Sequence, residues 1–336
     1  MNIPVRNSFA EIDLKAFRWN FDQIKKQVQP AKIASVVKAN AYGHGDIRIS
    51  EQAVMSGTEY LCFEIVQNGI RIRKSGINAP ILIFIPPGND EIEPAILKNL
   101  DLTVNSLKTA ENISDAAAAI NKTAKVHIFI DTGMHNIGID WNSAPELIHK
   151  IEKLPNVEIK GLCTHFATSD WSDLTFAYDQ LERFDSVIKK IDPDIPFIHC
   201  ASTGAILQMK ESYFNMVRPG IGLYGYYPSM ICKRTLHLKP VMSLRSYVSH
   251  ISEFEKGEEF GYSLTYRTGK RTKIVSVPVG YGDGINRLLS NNSEVLIGGR
   301  KYPVIGRVAM DWIMVDIGLD NKIMENDEVV LLGKQN

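Results

Sequence analysis

Lys38 stands where an apolar segment ends and a glycine-containing loop begins. Residues 33–37 are apolar apart from Ser35, and Gly43 and Gly45 flank the loop. Taking an ammonium out of water is unfavourable, so a partly buried lysine at this place favours the neutral, nucleophilic amine. Such an amine can form a Schiff base with a carbonyl cofactor such as pyridoxal phosphate. The segment by itself also fits an ordinary solvated lysine at a strand end.

Further positions just after later apolar runs extend this candidate site through polar side chains or backbone amides. They are Asp131, Asn136, His165, Ser202, Thr203, Arg218, Gly220 and Ile221. Taken singly, His165 also fits a core histidine, Arg218 a structural ion pair and Thr203 a helix cap. Tyr42, four residues after Lys38, could reach a phosphate with its hydroxyl or simply close a turn. These positions make a site only if the fold brings the run ends together.

Eight short apolar runs predict the elements that position these residues. The runs are 33–37, 60–63, 81–85, 102–104, 126–130, 159–163, 197–199 and 216–217. Helix-like stretches separate most of them, and 106–120 and 172–191 show apolar residues at steps of three and four. Strands alternating with helices in this number predict a (β/α)₈ TIM barrel. A doubly wound sheet is the alternative, but it would need a glycine fingerprint after an early strand, and the sequence has none.

A barrel places all the candidate residues on one rim. Catalytic residues of this fold lie at the C-terminal strand ends, and phosphate often binds near strands seven and eight. The seventh run is followed by Ser202 and Thr203, and the eighth by Gly220 and Ile221. Hydroxyls and backbone amides at these two strand ends predict a phosphate site.

From about residue 238 the sequence predicts a β-rich region. Strands are predicted at 241–249, 273–277, 295–297, 302–305, 313–317 and 328–332, with glycine- and asparagine-rich turns between them. We therefore predict a cofactor-binding barrel at residues 10–230. The second domain would comprise residues 231–336 together with an N-terminal strand at 1–9.

Composition narrows the class of protein. The chain has 336 residues, 44% of them apolar, and 38 basic side chains balance 38 acidic ones. A formal net charge of zero removes the usual electrostatic argument for nucleic-acid binding, and no segment is long and apolar enough to span a bilayer. The four cysteines show no paired spacing, and the N-terminus lacks an apolar signal core. We therefore expect a reduced, cytoplasmic protein without a metal site.

Two other catalytic classes find little support. A serine hydrolase of the α/β type would need a Gly-x-Ser-x-Gly elbow, which is missing. The eight histidines are dispersed, and the zinc motif His-Glu-x-x-His does not occur.

The chain resembles the alanine racemases, pyridoxal-phosphate enzymes that join a (β/α)₈ barrel to a C-terminal β domain. The matching stretches span nearly the whole chain in the family's order. They are 37–45 (VKANAYGHG), 131–134 (DTGM), 164–167 (THFA), 217–221 (VRPGI), 280–284 (GYGDG) and 306–311 (GRVAMD).

The resemblance implies a role for each matching residue. Lys38 would hold the cofactor and act as one catalytic base, and Tyr262 of the partner subunit would be the opposite base. His165 would lie against the pyridine ring and Arg218 would face its nitrogen. The implied phosphate ligands are Tyr42, Thr203 and the amides of Gly220 and Ile221. The implied substrate contacts from the partner subunit are Tyr281, Met310 and Asp311. The family's enzymes are homodimers whose sites need both chains.

The chain departs from the family pattern in three places, and the first departure bears on the substrate. The family has Gly-Arg after the stretch 131–134, and that arginine binds the substrate carboxylate, whereas this chain has His135 and Asn136. A modified lysine that orients the arginine in many relatives is replaced by Phe129. Loss of a bidentate arginine contact predicts weaker carboxylate binding. Asn136 could offer an amide to the carboxylate or to a polar substrate side chain.

The other two departures concern the phosphate site and the C-terminus. Ser202-Thr203 replaces the usual Asn-Ser and keeps a hydroxyl. The chain ends at Asn336 near a predicted strand, where family members continue for some tens of residues with a tyrosine near the phosphate. The sequence therefore predicts either a short variant or a lost end.

The sequence predicts an amino-acid racemase that acts on alanine and supplies D-amino acids for the bacterial cell wall. Serine, or both substrates, remains an alternative, because some relatives are serine racemases fused to a membrane domain in glycopeptide-resistant bacteria. A second alternative is a barrel that carries pyridoxal phosphate without turnover, although a lone carrier would lack the β-rich domain. A decarboxylase or aldolase of the same fold type is a third.

Overall fold

The computed structural model describes residues 8–191 and 194–335, which form two compact units. The first unit is Leu14–Lys239, and the described part of the second comprises residues 8–13 and 240–335. The functional limits 10–230 and 231–336 remain predictions. Most of the N-terminal strand predicted at residues 1–9 lies outside the described residues. Among the described residues, no helix combines the length and apolarity needed to cross a membrane.

The first described strand, β1 (Phe9–Ile12), belongs to the second unit. The strands of the first unit are β2 (Lys32–Val36), β3 (Tyr60–Phe63), β4 (Ile81–Ile83), β5 (Asp101–Val104), β6 (Ala124–Asp131), β7 (Ile139–Asp140), β8 (Val157–Cys163), β9 (Phe197–His199) and β10 (Met216–Val217). Its helices are α1 (Leu14–Val28), α2 (Lys38–Tyr42), α3 (Asp46–Ser56), α4 (Val66–Lys74), α5 (Asn89–Leu97), α6 (Leu107–Ala119), α7 (Ala144–Glu152), α8 (Thr175–Ile188) and α9 (Thr203–Gln208), with 3₁₀ turns at Lys210–Ser212 and Ile221–Tyr224.

The first unit is the predicted parallel barrel. Eight strands follow the order β10-β2-β3-β4-β5-β6-β8-β9, and β7 adds to β6 outside this path. The barrel is nearly closed between β9 and β10, where the Arg218 amide donates to the Ala201 carbonyl at 2.8 Å. The Asn215 side chain accepts from the Ile198 amide at 2.8 Å on the same seam. Each of the eight predicted runs overlaps a barrel strand, so the TIM-barrel prediction is confirmed.

The apolar pattern explains why these strands and helices form. Short runs of branched residues are buried on both faces, as parallel strands under helices require, and Leu61, Leu82 and Val126 are fully buried. The long amphipathic helix that the sequence predicted at 106–120 is α6. Its N-cap Ser106 accepts a hydrogen bond from the Thr109 amide at 3.1 Å, which satisfies one of the unpaired amides of the first turn.

The second unit is built on an antiparallel sheet, so the prediction of a β-rich domain is confirmed. Its remaining strands are β11 (Met242–Tyr247), β12 (His250–Phe254), β13 (Glu259–Phe260), β14 (Tyr266–Arg267), β15 (Thr272–Val277), β16 (Glu294–Ile297), β17 (Arg300–Ile305), β18 (Ile313–Gly318) and β19 (Glu328–Leu332). Its 3₁₀ turns are Tyr262–Leu264, Tyr281–Asp283 and Arg287–Leu289. Eight strands pair in the order β1-β11-β19-β16-β17-β18-β15-β12, and β13 pairs with β14 as a separate hairpin. Valines and isoleucines such as Val275, Val315 and Val329 form its core.

Candidate active site

A cavity of about 550 Å³ lies at the C-terminal ends of the barrel strands. Eight residues that the sequence assigned to catalysis, cofactor or substrate binding line it: Lys38, Tyr42, Asn136, His165, Thr203, Arg218, Gly220 and Ile221. They come from segments that follow β2, β6, β8, β9 and β10. The structure therefore brings these predicted residues together, as the barrel register required.

Lys38 begins a left-handed turn that directs the loop after β2 into the cavity. The next four residues, Ala39 to Tyr42, have φ between +51° and +54°, a region that residues with a side chain seldom occupy. Glu64 accepts a hydrogen bond from the Ala39 amide at 2.9 Å. His44 lies within 3.1 Å of the Ala41 and Tyr42 carbonyl oxygens through Nδ1. Lys38 itself is exposed, which corrects the expectation of a buried ammonium.

Tyr42 and Gly220 form a close contact at one wall of the cavity. A Cβ atom added to Gly220 would lie 2.5 Å from the Tyr42 hydroxyl, so only glycine leaves that oxygen in place. The fully buried Tyr224 supports Tyr42 from behind, with ring centroids 4.8 Å apart, and its hydroxyl donates to the Val36 carbonyl at 2.9 Å. Burial, and then Cys62 and Glu64, raise the pKa of Tyr42, so the phenol remains protonated and can donate to an anion.

Thr203 organises the opposite part of this wall. Its hydroxyl accepts hydrogen bonds from the amides of Gly220 and Gly222, both at 3.2 Å. A Cβ on Gly222 would lie 2.8 Å from Thr203 Cγ2, so the loop after β10 packs directly on this side chain. Hydroxyl and amide donors from α9 and this loop therefore meet at one place, which is the chemistry that a phosphate requires.

Arg218 is a buried cation at the cavity floor. Its guanidinium donates to the carbonyl oxygens of Thr164 at 2.6 Å and His199 at 2.5 Å. The Nδ1 atom of His165 lies 3.5 Å from the same guanidinium. Burial, and then the positive charges of Arg218 and Lys38, lower the pKa of His165 to about 3. His165 is therefore neutral at physiological pH.

Gln180 fixes the loop that carries His165. Its side chain is fully buried and donates to the His165 carbonyl at 3.0 Å. Its carbonyl oxygen accepts from the Ala167 amide at 2.8 Å. One amide side chain therefore binds the backbone on both sides of Phe166. Because Gln180 belongs to α8, the helix fixes the position of this loop.

The cavity wall at the family's arginine position is apolar except for Asn136. Phe129 is buried and lines the cavity together with Met134 and Ile137. The Asn136 carbonyl oxygen accepts from the Ile137 amide at 2.7 Å, which leaves its NH₂ group available to a ligand. The preceding turn is held by Asp131, which accepts from the amides of Gly133 and His135 at 2.9 and 3.1 Å.

The other four predicted residues, Tyr262, Tyr281, Met310 and Asp311, belong to the second unit. Three loops of that unit bring them to one surface. The amides of Tyr281 and Gly282 donate to the carbonyls of Ala309 and Met310 at 3.0 and 2.9 Å. Gly261, next to Tyr262, packs against the Gly306–Arg307 backbone. Tyr262, Tyr281 and Met310 are exposed large side chains, with 70% of Tyr262 accessible.

Sequence reasoning missed Glu64, Gln180, His199 and Tyr224. The last three are buried and act behind the cavity surface, so no motif of chemical residues at a strand end marks them. Glu64 does follow the run 60–63, and the rule used for the other strand ends would have found it. One of its carboxylate oxygens holds the turn after Lys38, and the other is buried without a hydrogen-bond partner among the described residues.

Pyridoxal phosphate fits three features of this cavity. They are the Lys38 amine, a phosphate cradle so close that a Cβ at Gly220 would clash, and the buried Arg218. The chain aligns with an alanine racemase from Bartonella henselae whose structure contains covalently bound pyridoxal phosphate. The TM-score is 0.89 at 28% identity over 98% of this chain and 91% of that one. Fold and site thus define a pyridoxal-phosphate-dependent isomerase.

The chain belongs to the alanine racemase family. Models of the N-terminal and C-terminal alanine racemase domains match residues 12–228 and 241–336. The alanine racemase of Carboxydothermus hydrogenoformans is 39% identical over 98% of this chain and 91% of its own length. The Clostridium difficile 630 enzyme has a TM-score of 0.95 and 36% identity over 100% of this chain and 89% of that one. The predicted family, fold, activity and cofactor are confirmed.

Proposed function

We propose that this enzyme interconverts L- and D-alanine with Lys38 and Tyr262 of the partner subunit as two opposed bases. The observation that carries the proposal is the convergence of eight predicted residues on one 550 Å³ cavity. Pyridoxal phosphate, when bound, supplies the electron-withdrawing group that acidifies the α-hydrogen of an amino acid. Racemisation then needs one base to take a proton from one face and another acid to return one on the other.

Lys38 is suited to one of these roles by its position. Lys38 directly precedes the left-handed residues and lines the cavity, so its amine can carry a proton to and from the substrate there. The phenol of Tyr262 belongs to an exposed turn, where a partner's cavity can receive it. We assign Tyr262 to the face opposite Lys38 because removal and return of the proton on opposite faces inverts the α-carbon.

Tyr42, Thr203 and the amides of Gly220 and Ile221 are assigned to the phosphate. The support is their clustering: the Tyr42 hydroxyl lies against Gly220, and Thr203 Oγ1 lies 3.2 Å from the Gly220 amide. A hydroxyl pair and backbone amides neutralise an anion by hydrogen bonding without a large net charge. This fits a chain whose formal net charge is zero.

We assign Arg218 to the pyridine nitrogen and His165 to the ring face beside it. Arginine retains its protons in proteins, so it can donate to that nitrogen but cannot protonate it. A nitrogen without a proton withdraws electrons less strongly, which discourages full carbanion formation and side reactions such as transamination. His165 is neutral, and we assign it to connect the ring face to Tyr262.

Asn136 is assigned to the substrate, together with Tyr281, Met310 and Asp311 of the partner subunit. An amide in place of an arginine donates one neutral hydrogen bond to a carboxylate instead of a charge-assisted pair. The apolar Phe129 cannot orient an arginine. This change supports serine as an alternative or additional substrate, because the Asn136 amide can also bind a hydroxyl. The match to the C-terminal racemase domain argues against the lone carrier barrel.

Homodimerisation is part of the proposal. Large exposed side chains cluster on the second unit around Tyr262, Tyr281 and Met310, as expected for a surface that a second copy covers. We also propose a cytoplasmic enzyme that supplies D-alanine for peptidoglycan precursors. All four cysteines are free and buried, as is usual in reducing compartments.

The decisive experiment is α-proton exchange in heavy water with purified protein and added pyridoxal phosphate. L-alanine, L-serine and L-lysine are followed by NMR, and each product is analysed for the D enantiomer. We expect exchange with inversion for alanine, and the rate with serine relative to alanine gives the preference. Cofactor binding without exchange of any substrate would refute the catalytic proposal, and release of carbon dioxide would favour a decarboxylase.

A further inference from the structure

Arg218 is buried in the barrel without a direct counter-charge. Only 5% of the residue is accessible. Its polar contacts are carbonyl oxygens of Thr164, His199 and Cys200, together with imidazole nitrogens of His165 and His199. Among the described residues, no carboxylate lies within 4 Å of its guanidinium. An unpaired buried charge is costly, so the compensating negative charge should lie further inside the barrel.

A continuous set of buried side chains leads from Arg218 to a carboxylate. His199 Nδ1 lies 2.6 Å from the Arg218 guanidinium, and His199 Nε2 lies 2.9 Å from His127 Nδ1. His127 Nε2 lies 3.6 Å from Asp101 Oδ2, which is an ion-pair distance, and Nε2 makes no hydrogen bond among the described residues. The same Asp101 oxygen accepts from the Tyr60 hydroxyl at 2.8 Å. We call Arg218, His199, His127, Asp101 and Tyr60 the interior network.

The interior network spans the barrel from one end to the other. Arg218 directly follows β10 at the cavity end, and His199 is the last residue of β9. Asp101 and Tyr60 are the first residues of β5 and β3, at the opposite end. Tyr60, Asp101, His127 and His199 are all at most 3% accessible. Tyr60 and Asp101 also line a second cavity of about 270 Å³ at this end, together with Lys125 and Lys160.

The geometry permits one order of protons. A guanidinium only donates, so His199 Nδ1 must be the unprotonated acceptor and its proton must be on Nε2. That Nε2–H donates to His127, whose Nδ1 must then also be unprotonated. The proton of His127 is therefore on Nε2, facing Asp101. An extra proton on either imidazole would place two donors face to face.

We propose that Asp101, through His127 and His199, is the counter-charge of Arg218 and holds its guanidinium in place. The inference rests on the proposed role of Arg218 toward the pyridine nitrogen. Asp101 favours this proton order because a carboxylate attracts the Nε2–H group of His127 across the 3.6 Å between them. The same logic applies wherever a carboxylate sets the tautomer of a functional histidine. Asp101, His127 and His199 are thus positioning residues, since none of them lines the cavity.

Three further observations support this arrangement. Burial, and then the positive charge of Arg218, keep the pKa of His199 well below its ordinary value, so the imidazole is neutral. Burial, and then Asp101, raise the pKa of Tyr60, so its phenol stays protonated and donates. Aromatic packing fixes the ring of His127: Phe197 stacks on it with an interplanar angle of 11°, and Tyr60 meets its edge.

The first test measures histidine tautomers in the cofactor-free wild-type protein by ¹⁵N NMR of the imidazole nitrogens at neutral pH. We expect both His127 and His199 to be neutral with the proton on Nε2. This measurement needs neither a variant nor catalysis, so it is independent of whether the racemase proposal holds. An Nδ1–H tautomer or an imidazolium at either histidine would overturn the proposed proton order.

The second test compares two replacements of His127 with a packing control. His127→Asn retains an acceptor near the Nδ1 position, whereas His127→Leu removes it. Phe197→Leu removes an aromatic neighbour but none of the hydrogen bonds in the interior network. We expect His127→Leu to lose the Nε2–H tautomer of His199 and to weaken pyridoxal phosphate binding about tenfold, the effect of one hydrogen bond. Phe197→Leu should remain within about threefold of wild type. His127→Asn keeps the acceptor for His199 but lacks the N–H group that faces Asp101, so its affinity should lie between those of wild type and His127→Leu.

The outcomes separate the inference from the proposed function. Equal cofactor affinity in His127→Leu and His127→Asn would refute a positioning role for the interior network. A wild-type protein with the expected tautomers but no affinity for pyridoxal phosphate would refute the assigned role of Arg218 toward the cofactor. If His127→Leu does not fold, Tyr60→Phe is used in its place. This substitution removes one hydrogen bond to Asp101 while the volume of the side chain hardly changes. That variant should then weaken cofactor binding relative to Phe197→Leu, and equal affinity would count against the inference.

Discussion

The Tyr262 side chain is largely exposed, with 70% of the residue accessible. Tyr262→Phe therefore removes one hydroxyl without changing packing. We expect racemisation of L-alanine to fall by about 10²–10⁴-fold, the usual contribution of a general acid or base, while cofactor affinity changes little. Steady-state kinetics and titration with pyridoxal phosphate measure the two effects.

Tyr266→Phe is the matched control for Tyr262→Phe. The Tyr266 hydroxyl donates to Asp316 at 2.6 Å, and burial followed by this contact raises its pKa to about 12. Its loss should lower stability by about 1 kcal/mol, a typical hydrogen-bond contribution, with racemisation unchanged. Parallel loss of activity and cofactor binding in Tyr262→Phe would show that Tyr262 is structural.

Asn136 is the residue at which this chain departs furthest from the family motif. Asn136→Asp keeps the oxygen that accepts from the Ile137 amide but places a negative charge beside the proposed substrate carboxylate. We expect the KM for alanine to rise about tenfold, equivalent to one net hydrogen bond, with a smaller change in kcat. Asn142→Asp makes the same charge change at an exposed position that does not line the cavity. An unchanged KM in Asn136→Asp would exclude this contact.

At the scale of elements, the left-handed turn after β2 stores backbone strain beside Lys38. Ala39 has a φ of +51° and is exposed, so Ala39→Gly should relieve strain without removing a packed side chain. We expect a stabilisation of about 0.5–1 kcal/mol, the difference between the left-handed cost of alanine and the entropy cost of glycine. Ala118→Gly, at an exposed position within α6, should instead destabilise by about 1 kcal/mol. Urea unfolding of both variants tests the sign, and equal destabilisation would contradict the strain argument.

The phosphate cradle depends on the loop after β10 approaching the left-handed turn closely. Gly220→Ala would place a Cβ 2.5 Å from the Tyr42 hydroxyl, so we expect pyridoxal phosphate to bind about tenfold more weakly or worse. In a Tyr42→Phe background the clashing oxygen is absent and the next ring atom is 3.4 Å away. The same change should then cost less than about threefold, because the two residues are coupled. Additive effects on the dissociation constant would show that the clash is not the cause.

The sequence predicted strand ends better than backbone conformation or interior contacts. Runs of apolar residues place Lys38, His165 and Arg218 at strand ends, and closure of the barrel brings these strand ends together. The residue types from Ala39 to Tyr42 do not predict a left-handed turn. The turn is held by contacts to Glu64 and His44, which the local sequence does not show. In the second unit, β12 was missed since its half-exposed residues lack a clear apolar alternation.

The interior network shows a related limit. His127 lies within a predicted apolar run and His199 ends another, so each alone fits a satisfied core residue. Their contact joins positions 72 residues apart and exists only because the barrel brings β6 and β9 near each other across its interior. The sequence contains the residue types but not their pairing. The order of protons can be derived only when the distances between these side chains are known.

At the scale of the whole molecule, the proposed site requires two chains, and mixed dimers test this directly. Lys38→Ala and Tyr262→Phe homodimers should each be nearly inactive. In a mixed dimer with shared sites, one site carries both substitutions and the other carries neither. After equal mixing, unfolding and refolding together, about a quarter of wild-type activity should return, since half the dimers are mixed and half their sites are intact. Sites built within single chains would each keep one defect and restore nothing. Refolding each variant alone controls for the procedure. A tag on one variant allows the mixed dimers to be separated and counted, and the recovered activity should be proportional to their fraction.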